Sequence, residues 1–466
     1  MKKTVNHILA AGLLALLSLA SCTDEFIEGN DLQGVDRDKR VEVRLPFGVG
    51  RGITTTITTR AAGGEIDYDS QLSGVMAFVY EAKSDNPEEN ELLAYHLFSN
   101  PSNKPLEGAT GGWIADNDDP TCGEIKFYVP VGDVYIYLLG NAQSSFLNFF
   151  PGVSGGDALG TQAEFFEKAT PKWNGNIHSV DGYLPLTGMV NNNTGLCHVN
   201  EQGQISYTDE EGKTHTLLPD GKHDEDNSCV LKRLMSKITM NIREGKGVKF
   251  TARDYTVRHI PHYVSPTAQA WTEEERDRIL VEDAKPVNFG LLDSLTFTIY
   301  LPENIRKVRS GVEITEYRQR DKVVKTADNK NTEETAPDDF HADNADNHKG
   351  HYKFEFAPKA STYIELTGWF ENADKTVAAD VRYYIHLGNF GKDLNHFSVE
   401  RDHHYTYNVT INGVDDIVVE VEDENEKTPG AEGVVFKHEA FAHIDAHFDQ
   451  VEMKFRRSDV EKGVYL

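Results

Sequence analysis

Apolar and polar residues alternate with period two along much of the chain. Val41, Val43, Leu45, Phe47 and Val49 alternate with Glu42, Arg44, Pro46 and Gly48. Ile125, Phe127 and Val129 form a second set, and after a Pro-Val-Gly-Asp turn the run Val134 to Leu139 forms a third. Further sets are Ile238, Met240 and Ile242; Leu295, Phe297, Ile299 and Leu301; Tyr352, Phe354 and Phe356; Val381, Tyr383, Ile385 and Leu387. Tyr405, Tyr407, Val409 and Ile411, then Ile417, Val419 and Val421, close the series. Each set predicts a strand with one buried and one wet face, the pattern of antiparallel sandwiches. Helical signals are sparse. Thr272 with Glu275, and Trp271 ahead of them, predict a capped helix near 272–282; Thr161 with Glu164 predicts another near 162–169. Strand and helix units do not alternate, which excludes a parallel α/β fold. The expected class is all-β, with short helices in loops. Residues 199–228 and 326–350 read as polar surface insertions, and 422–433 as an acidic linker.

Composition narrows the function. The chain has 466 residues, enough for two or three domains, and 39% hydrophobic with 10% aromatic residues can build a core. Lys and Arg total 47 against 75 Asp and Glu, a formal charge of -28. That balance excludes a nucleic-acid binder and electrostatic attachment to an anionic membrane.

The N-terminus sets the compartment. Lys2 and Lys3 precede an apolar run from Ile8 to Leu19, too short for a mature transmembrane helix and suited to a signal-peptide core. The run ends Leu19-Ala20-Ser21-Cys22, which resembles a bacterial lipobox in which Cys22 becomes the lipidated first residue. Asp24 and Glu25 resemble a surface-export signal of lipoproteins in some diderm bacteria. Residues 1–21 are therefore read as a lipoprotein signal peptide, which leaves 45 basic against 75 acidic residues, a charge of -30. Cys122, Cys197 and Cys229 remain, an odd number, and sequence does not assign a pairing among them.

Candidate chemistry is thin. Gly152-Val153-Ser154-Gly155-Gly156 fits G-x-S-x-G, but Pro151 precedes it and Asp157 to Gly160 follow, so the strand-turn-helix context of a nucleophile elbow is missing. His438-Glu439 begins a zinc-protease pattern, yet the next histidine, His443, is one residue too far; His443 and His447 lie in a strand-and-turn segment. His341, His348 and His351 read as solvated, and His403 and His404 point to opposite faces of a strand. The acidic runs at Asp116, Asp118 and Asp119 and at Asp224, Glu225 and Asp226 lack the glycine and distal glutamate of an EF-hand loop. No catalytic residue, metal site or cofactor is expected, and the body reads as a binding or structural protein.

Several segments, in order, resemble the fimbrillin family of type V pilus subunits. They are Thr59-Arg60-Ala61 ahead of Val75 to Tyr80; Gly132 to Asn141 (GDVYIYLLGN); Leu184 to Met189; Leu231 to Ile238; Phe297 to Asn304 (FTIYLPEN); Thr362 to Gly368; and His396 to Asp415 (HFSVERDHHYTYNVTINGVD). The resemblance implies two transthyretin-like, Ig-like antiparallel β-sandwich domains. It implies a lipid-anchored precursor in the outer membrane, cleavage by a trypsin-like, arginine-specific protease, and other pilus subunits as partners in an extracellular fimbrium. The matching bond is Arg60–Ala61, with Arg40, Arg44 and Arg51 as rivals. Cleavage would release a first strand carrying Val41, Val43, Leu45, Phe47 and Val49, expected on a sandwich edge, and a neighbour's strand would fill the groove by strand addition.

The domains expected are a propeptide over 22–60, sandwiches over 61–245 and 246–425, and a tail over 426–466 that contains a donor strand or begins a terminal module. This tail favours an accessory or tip-associated subunit over a shaft subunit, with a host or bacterial surface ligand. The alternative is a monomeric surface lipoprotein that captures glycans through Trp113, Trp173 or Trp369, although these tryptophans are expected in the core.

Overall fold

The alternating sets become paired strands because each can bury one face while its backbone groups bond to neighbours. The computed structural model describes residues 40–50, 71–101, 109, 112–116, 121–141, 147–148, 160–168, 172–178, 183–191, 194–219, 228–267, 279–291, 295–308, 311–325, 339–341, 351–391, 393–414 and 416–423. These fall into two units. The first takes in the described residues within 40–50, 71–234 and 262–280, and the second those within 235–261 and 281–423. The division at Leu234 and Met235 leaves the expected boundary at 245 inside the second unit.

The strands of the first unit are β1 (Arg40–Val49), β2 (Gly74–Glu81), β3 (Leu92–Ser99), β4 (Trp113–Ala115), β5 (Cys122–Pro130), β6 (Gly132–Gly140), β7 (Leu147–Asn148), β8 (Lys172–Trp173), β9 (Leu186–Met189), β10 (Leu196–Val199), β11 (Ile205–Thr208), β12 (Thr214–Thr216) and β13 (Cys229–Arg233). One sheet runs β12-β11-β10-β6-β9-β13-β1-β5-β4, with β2 on the far side of β6 and β3 beyond it. β10 and β9 share one edge of β6, the first along Gly132 to Tyr135 and the second along Tyr137 to Gly140. The sheet folds over itself, so Phe98 of β3 meets Phe127 of β5 across the core at 6.0 Å. Leu45, Phe47, Val75, Ile136 and Leu231 are among the residues filling that core. Helix α1 (Gln162–Lys168) forms where the capping box predicts it: Glu164 N donates to Thr161 Oγ1 at 3.2 Å, and Thr161 N to Glu164 Oε2 at 3.1 Å.

The second unit holds β14 (Met235–Glu244), β15 (Val248–Arg258), β16 (Ile260–Pro261), β17 (Val281–Glu282), β18 (Val287–Asn288), β19 (Thr296–Pro302), β20 (Val323–Lys325), β21 (Asp339–His341), β22 (His351–Phe354), β23 (Tyr363–Asn372), β24 (Ala378–His386), β25 (His404–Ile411) and β26 (Ile417–Asp423), with a short helix α2 (Tyr317–Arg320). Two four-stranded sheets, β19-β14-β25-β26 and β18-β15-β23-β24, pack face to face. Tyr255 of one stacks on Phe297 of the other at 3.9 Å, and Tyr383 donates to the Gly413 carbonyl at 2.6 Å. The chain is all-β, as the alternation predicts.

Three expectations are corrected. Residues 199–228 are not a featureless insertion: β11 and β12 form a hairpin that buries Ile205 and Leu217 in the first core. Its apolar residues are too few to alternate visibly, and its turn is set by Gly212 N bonding the Asp209 carbonyl at 3.0 Å. Within 326–350, Asp339 to His341 pair with β22, while 326–338 and 342–350 lie outside the described residues. Of the helix expected over 272–282, Val281–Glu282 is strand β17, paired with β16, and 271–278 lie outside the described residues.

Candidate functional site: the slot that holds the first strand

β1 is not an edge strand. It lies between β5 and β13, antiparallel to the first from Arg40 opposite Pro130 to Gly48 opposite Cys122, and parallel to the second from Phe47 opposite Cys229 to Val49 opposite Leu231. The edge expectation fails because alternation reports which face is buried and is blind to how many neighbours a strand has. Two long-range pairings of opposite sense give β1 the appearance of a strand slid into a gap.

The gap is apolar on its inner side. Val43, Leu45 and Phe47 are each 0% exposed, Val41 packs against the same core, and Val49 is buried. Fully burying these three side chains stabilises by about 5–9 kcal/mol before the cost of ordering the strand. Phe47 meets Trp113 edge to face, with centroids 4.9 Å apart at 76°. Gly123, opposite Phe47, leaves room for that ring: a Cβ there would sit 3.2 Å from the Phe47 Cζ and 2.9 Å from the Ile114 carbonyl.

The ends of β1 are held by the backbone. Gly50 N donates to the Leu231 carbonyl at 2.8 Å, Val49 N to the Thr121 carbonyl at 3.0 Å, and Arg233, itself buried, donates from Nη1 to the Gly50 carbonyl at 2.8 Å. Nearer the start, Gly203 (φ +75°) lies so close that a side chain would collide with the Glu42 carbonyl. On the outer face, Arg44 Nε donates to Glu124 Oε2 at 2.8 Å.

Two titratable features lie in this core. The Cys229 and Cys197 thiols are buried, and burial pushes both well above the ordinary thiol range. None of Cys122, Cys197 and Cys229 forms a disulfide. His96 on β3 packs against Phe98 and Phe127, and burial, with the Arg40 guanidinium adding to it, pushes its imidazole down to about 4.

The motif segments prove to be structural staples. Asn141, ending the GDVYIYLLGN run at φ 53°, donates to the carbonyls of Gln71 at 2.7 Å and Leu184 at 2.9 Å and accepts from Ser73 N at 2.8 Å. In the second unit, Asn304 bonds the Ala360 carbonyl at 2.9 Å and Thr362 Oγ1 at 2.8 Å, and Arg401 forks onto Glu303 at 2.9 and 2.6 Å. His404 is buried with Nε2 3.0 Å from Thr239 Oγ1, whereas His403 stacks on Tyr405. Sequence reading passed over Arg320, whose buried guanidinium lies between Phe390 and Phe397 and donates to the Leu387 and Leu394 carbonyls; a lone arginine between polar residues gives no signal of burial.

Cys22, Arg60 and Ala61 lie outside the described residues, as do the 152–156 motif, His438, His443 and His447. Among the described residues no group of three His, Cys, Asp or Glu is placed to hold a metal, and no helix is long and apolar enough to cross a membrane. Of the three tryptophans considered for glycan capture, Trp173 is buried and Trp113 packs on Phe47, but Trp369 is 41% exposed on β23, against the core placement expected.

Residues 299–409, from β19 to β25, match a domain of unknown function (DUF4906). No curated protein matches the chain. Among solved structures it is similar to the tip fimbrial protein Mfa3 from Porphyromonas gingivalis, with 13% identity and a TM-score of 0.41 over 82% of this chain and 99% of that one. A "putative cell adhesion protein" from Parabacteroides distasonis gives 10% identity and a TM-score of 0.45 over 83% and 98%. The fimbrial anchor protein Mfa2 from Porphyromonas gingivalis gives 9% and 0.29 over 82% and 97%.

Proposed function

We propose that the chain is an adhesive fimbrial subunit of the cell surface, without catalysis, assembled by protease-triggered donor-strand exchange with other pilus subunits. It would be exported as a lipoprotein through Cys22, anchored in the outer membrane, and cut at Arg60–Ala61 by a trypsin-like, arginine-specific protease. The observation that supports this most is the place of β1. It completes the first core between two strands, and residues 51–70, which contain Arg60, connect it to β2. A cut there leaves β1 held by noncovalent contacts alone. Its departure would strip two strand edges and open an apolar slot, which a second extended segment can refill by the same backbone pairing. The place proposed in the fimbrium is accessory or tip-associated, with a shaft place as the alternative.

Trypsin-like treatment of the mature protein should yield a stable fragment beginning at Ala61. Arg60→Ala should stay membrane-bound and out of fibres; incorporation of that variant at the normal level would sink the processing scheme.

The exposed indole of Trp369 supports a second reading, glycan capture by a monomeric lipoprotein. Trp369 pairs across the sheet with Asp380, whose carboxylate holds Arg253 at 2.5 Å, so an aromatic face and polar groups lie together. Glycan-array binding lost in Trp369→Ala, with antibody-labelled cells showing no fibres, would favour that reading over the first.

A further inference from the structure

The outer face of the sheet β18-β15-β23-β24 is unevenly covered. At one end Tyr363, Tyr384 and His386 pack against Phe354 of β22, with ring centroids 5.1, 5.5 and 4.3 Å away. Next to them Glu365, 8% exposed, lies under two guanidiniums, with Arg258 Nη2 at 3.1 Å and Arg382 Nε at 3.3 Å. That carboxylate is doubly paired and holds the face together. The other end is open. There Trp369 stands directly opposite Thr251 on β15 and Asp380 on β24. Residues so placed have Cβ atoms about 5 Å apart, so the three side chains share one row.

A β-bulge supplies a fourth member. The register of β15 against β23 shifts between Ala252 and Asp254, which makes Arg253 the extra residue. A bulge bends its strand and re-aims a side chain. Here Arg253 reaches past β23 to β24, where its Nη2 lies 2.5 Å from Asp380 Oδ1. Both side chains are more than half exposed, and such a pair adds little to stability. The contact is single. Among the described residues, Arg253 Nε and Nη1, Asp380 Oδ2, the Thr251 hydroxyl and the Trp369 indole N–H have no hydrogen-bond partner.

We propose that Thr251, Arg253, Trp369 and Asp380 form a platform for one uncharged sugar ring of a surface glycan, the ring lying on the indole and two adjacent hydroxyls meeting the Arg253–Asp380 pair. This rests on the glycan-capture reading for the site, and it holds whether the chain is a monomer or part of a fibre. A pyranose presents a face of C–H groups, which an indole face accepts, and a rim of hydroxyls that both donate and accept. Adjacent hydroxyls match a guanidinium beside a carboxylate, one accepting from Arg253 and the other donating to Asp380 Oδ2. The ring is uncharged because the row is. Its one cation meets one anion, Lys249 in the next row stands opposite Glu371, and Arg258 and Arg382 are held by Glu365. An acidic sugar would compete with Asp380 for Arg253 and approach a body of charge -28.

The test applies the purified mature chain to an array of neutral oligosaccharides and their sialylated and uronate-bearing counterparts, with the hits measured by calorimetry. Neutral saccharides should bind. Trp369→Ala should abolish binding, and Arg253→Ala or Asp380→Ala should weaken it at least about tenfold at an unchanged melting temperature. A deoxy analogue lacking the hydroxyl that meets Asp380 should lose as much on the parent chain and nothing more on Asp380→Ala. Arg318→Ala, which breaks the exposed pair with Asp416, should bind as the parent does. Binding that needs Trp369 but neither Arg253 nor Asp380, or a preference for acidic saccharides, overturns the platform and leaves the glycan reading standing. Binding indifferent to Trp369→Ala, or none across the array, overturns both.

Discussion

Phe47→Ala should unseal the slot without touching its backbone pairing. Phe47 is fully buried, faces Trp113 at 4.9 Å, and lies opposite Cys229 on β13. Removing a buried phenyl ring costs about 3–5 kcal/mol, since the ring's transfer energy and its contacts are both lost. Taking about 4 kcal/mol, and 1.36 kcal/mol per factor of ten, the population of states in which β1 is lifted off should rise about a thousandfold. The Cys229 thiol reports those states. It is buried and held protonated in the native fold, so an alkylating reagent reaches it only on opening. Pulse alkylation followed by peptide mass mapping resolves Cys122, Cys197 and Cys229 separately. Cys229 should label about three orders of magnitude faster in the variant, while Tyr128→Ala, a change at a 56% exposed ring on the outer face of β5, should leave the rate nearly unchanged. A Cys229 rate within about threefold of the wild type would refute the reasoning.

Two further outcomes follow from the same unit. Gly203→Val should lower the melting temperature measurably, because a left-handed backbone and a collision with the Glu42 carbonyl together cost about 2 kcal/mol or more; a melting temperature equal to wild type would show that the turn after β10 does not press on β1. His96 should make the first unit acid-sensitive. With the imidazole pushed down to about 4 in the fold and near 6.5 unfolded, the unfolded chain binds more protons between those values, so stability falls as pH drops through that window, by about 3 kcal/mol at its acid end. His96→Gln should flatten that part of the urea-midpoint profile, and a variant profile parallel to wild type would contradict the assignment.

Much of the fold was legible because alternation records burial directly. The sets at Val41, Ile125, Ile238, Phe297, Val381 and Tyr405 all became strands, and the box at Thr161 and Glu164 became a helix cap. Neighbour relations were not legible. Nothing within Arg40 to Val49 says that Cys229, far along the chain, lies parallel to Phe47, because the pairing is decided by the whole core. The 205–217 hairpin stayed hidden for a related reason: Ile205 and Leu217 are its buried aliphatics, and two residues make no period. The burial of Glu124 was likewise hidden, since an isolated glutamate in a strand reads as solvent-facing until its burial is seen.

The acidity of the chain gains a sharper meaning beside this slot. A net charge of -28 repels like copies at long range and keeps a chain with a latent apolar gap in solution. The strand that fills the gap has the opposite sign, since Arg40 and Arg44 outweigh Glu42. On the strand-exchange proposal, a basic strand approaching an acidic body is drawn in while the bodies themselves hold apart. At short range the buried side chains of Val43, Leu45 and Phe47 supply the hold. Salt should therefore slow strand entry while leaving the occupied slot almost as stable as before, because screening acts on exposed charges and barely on buried ones.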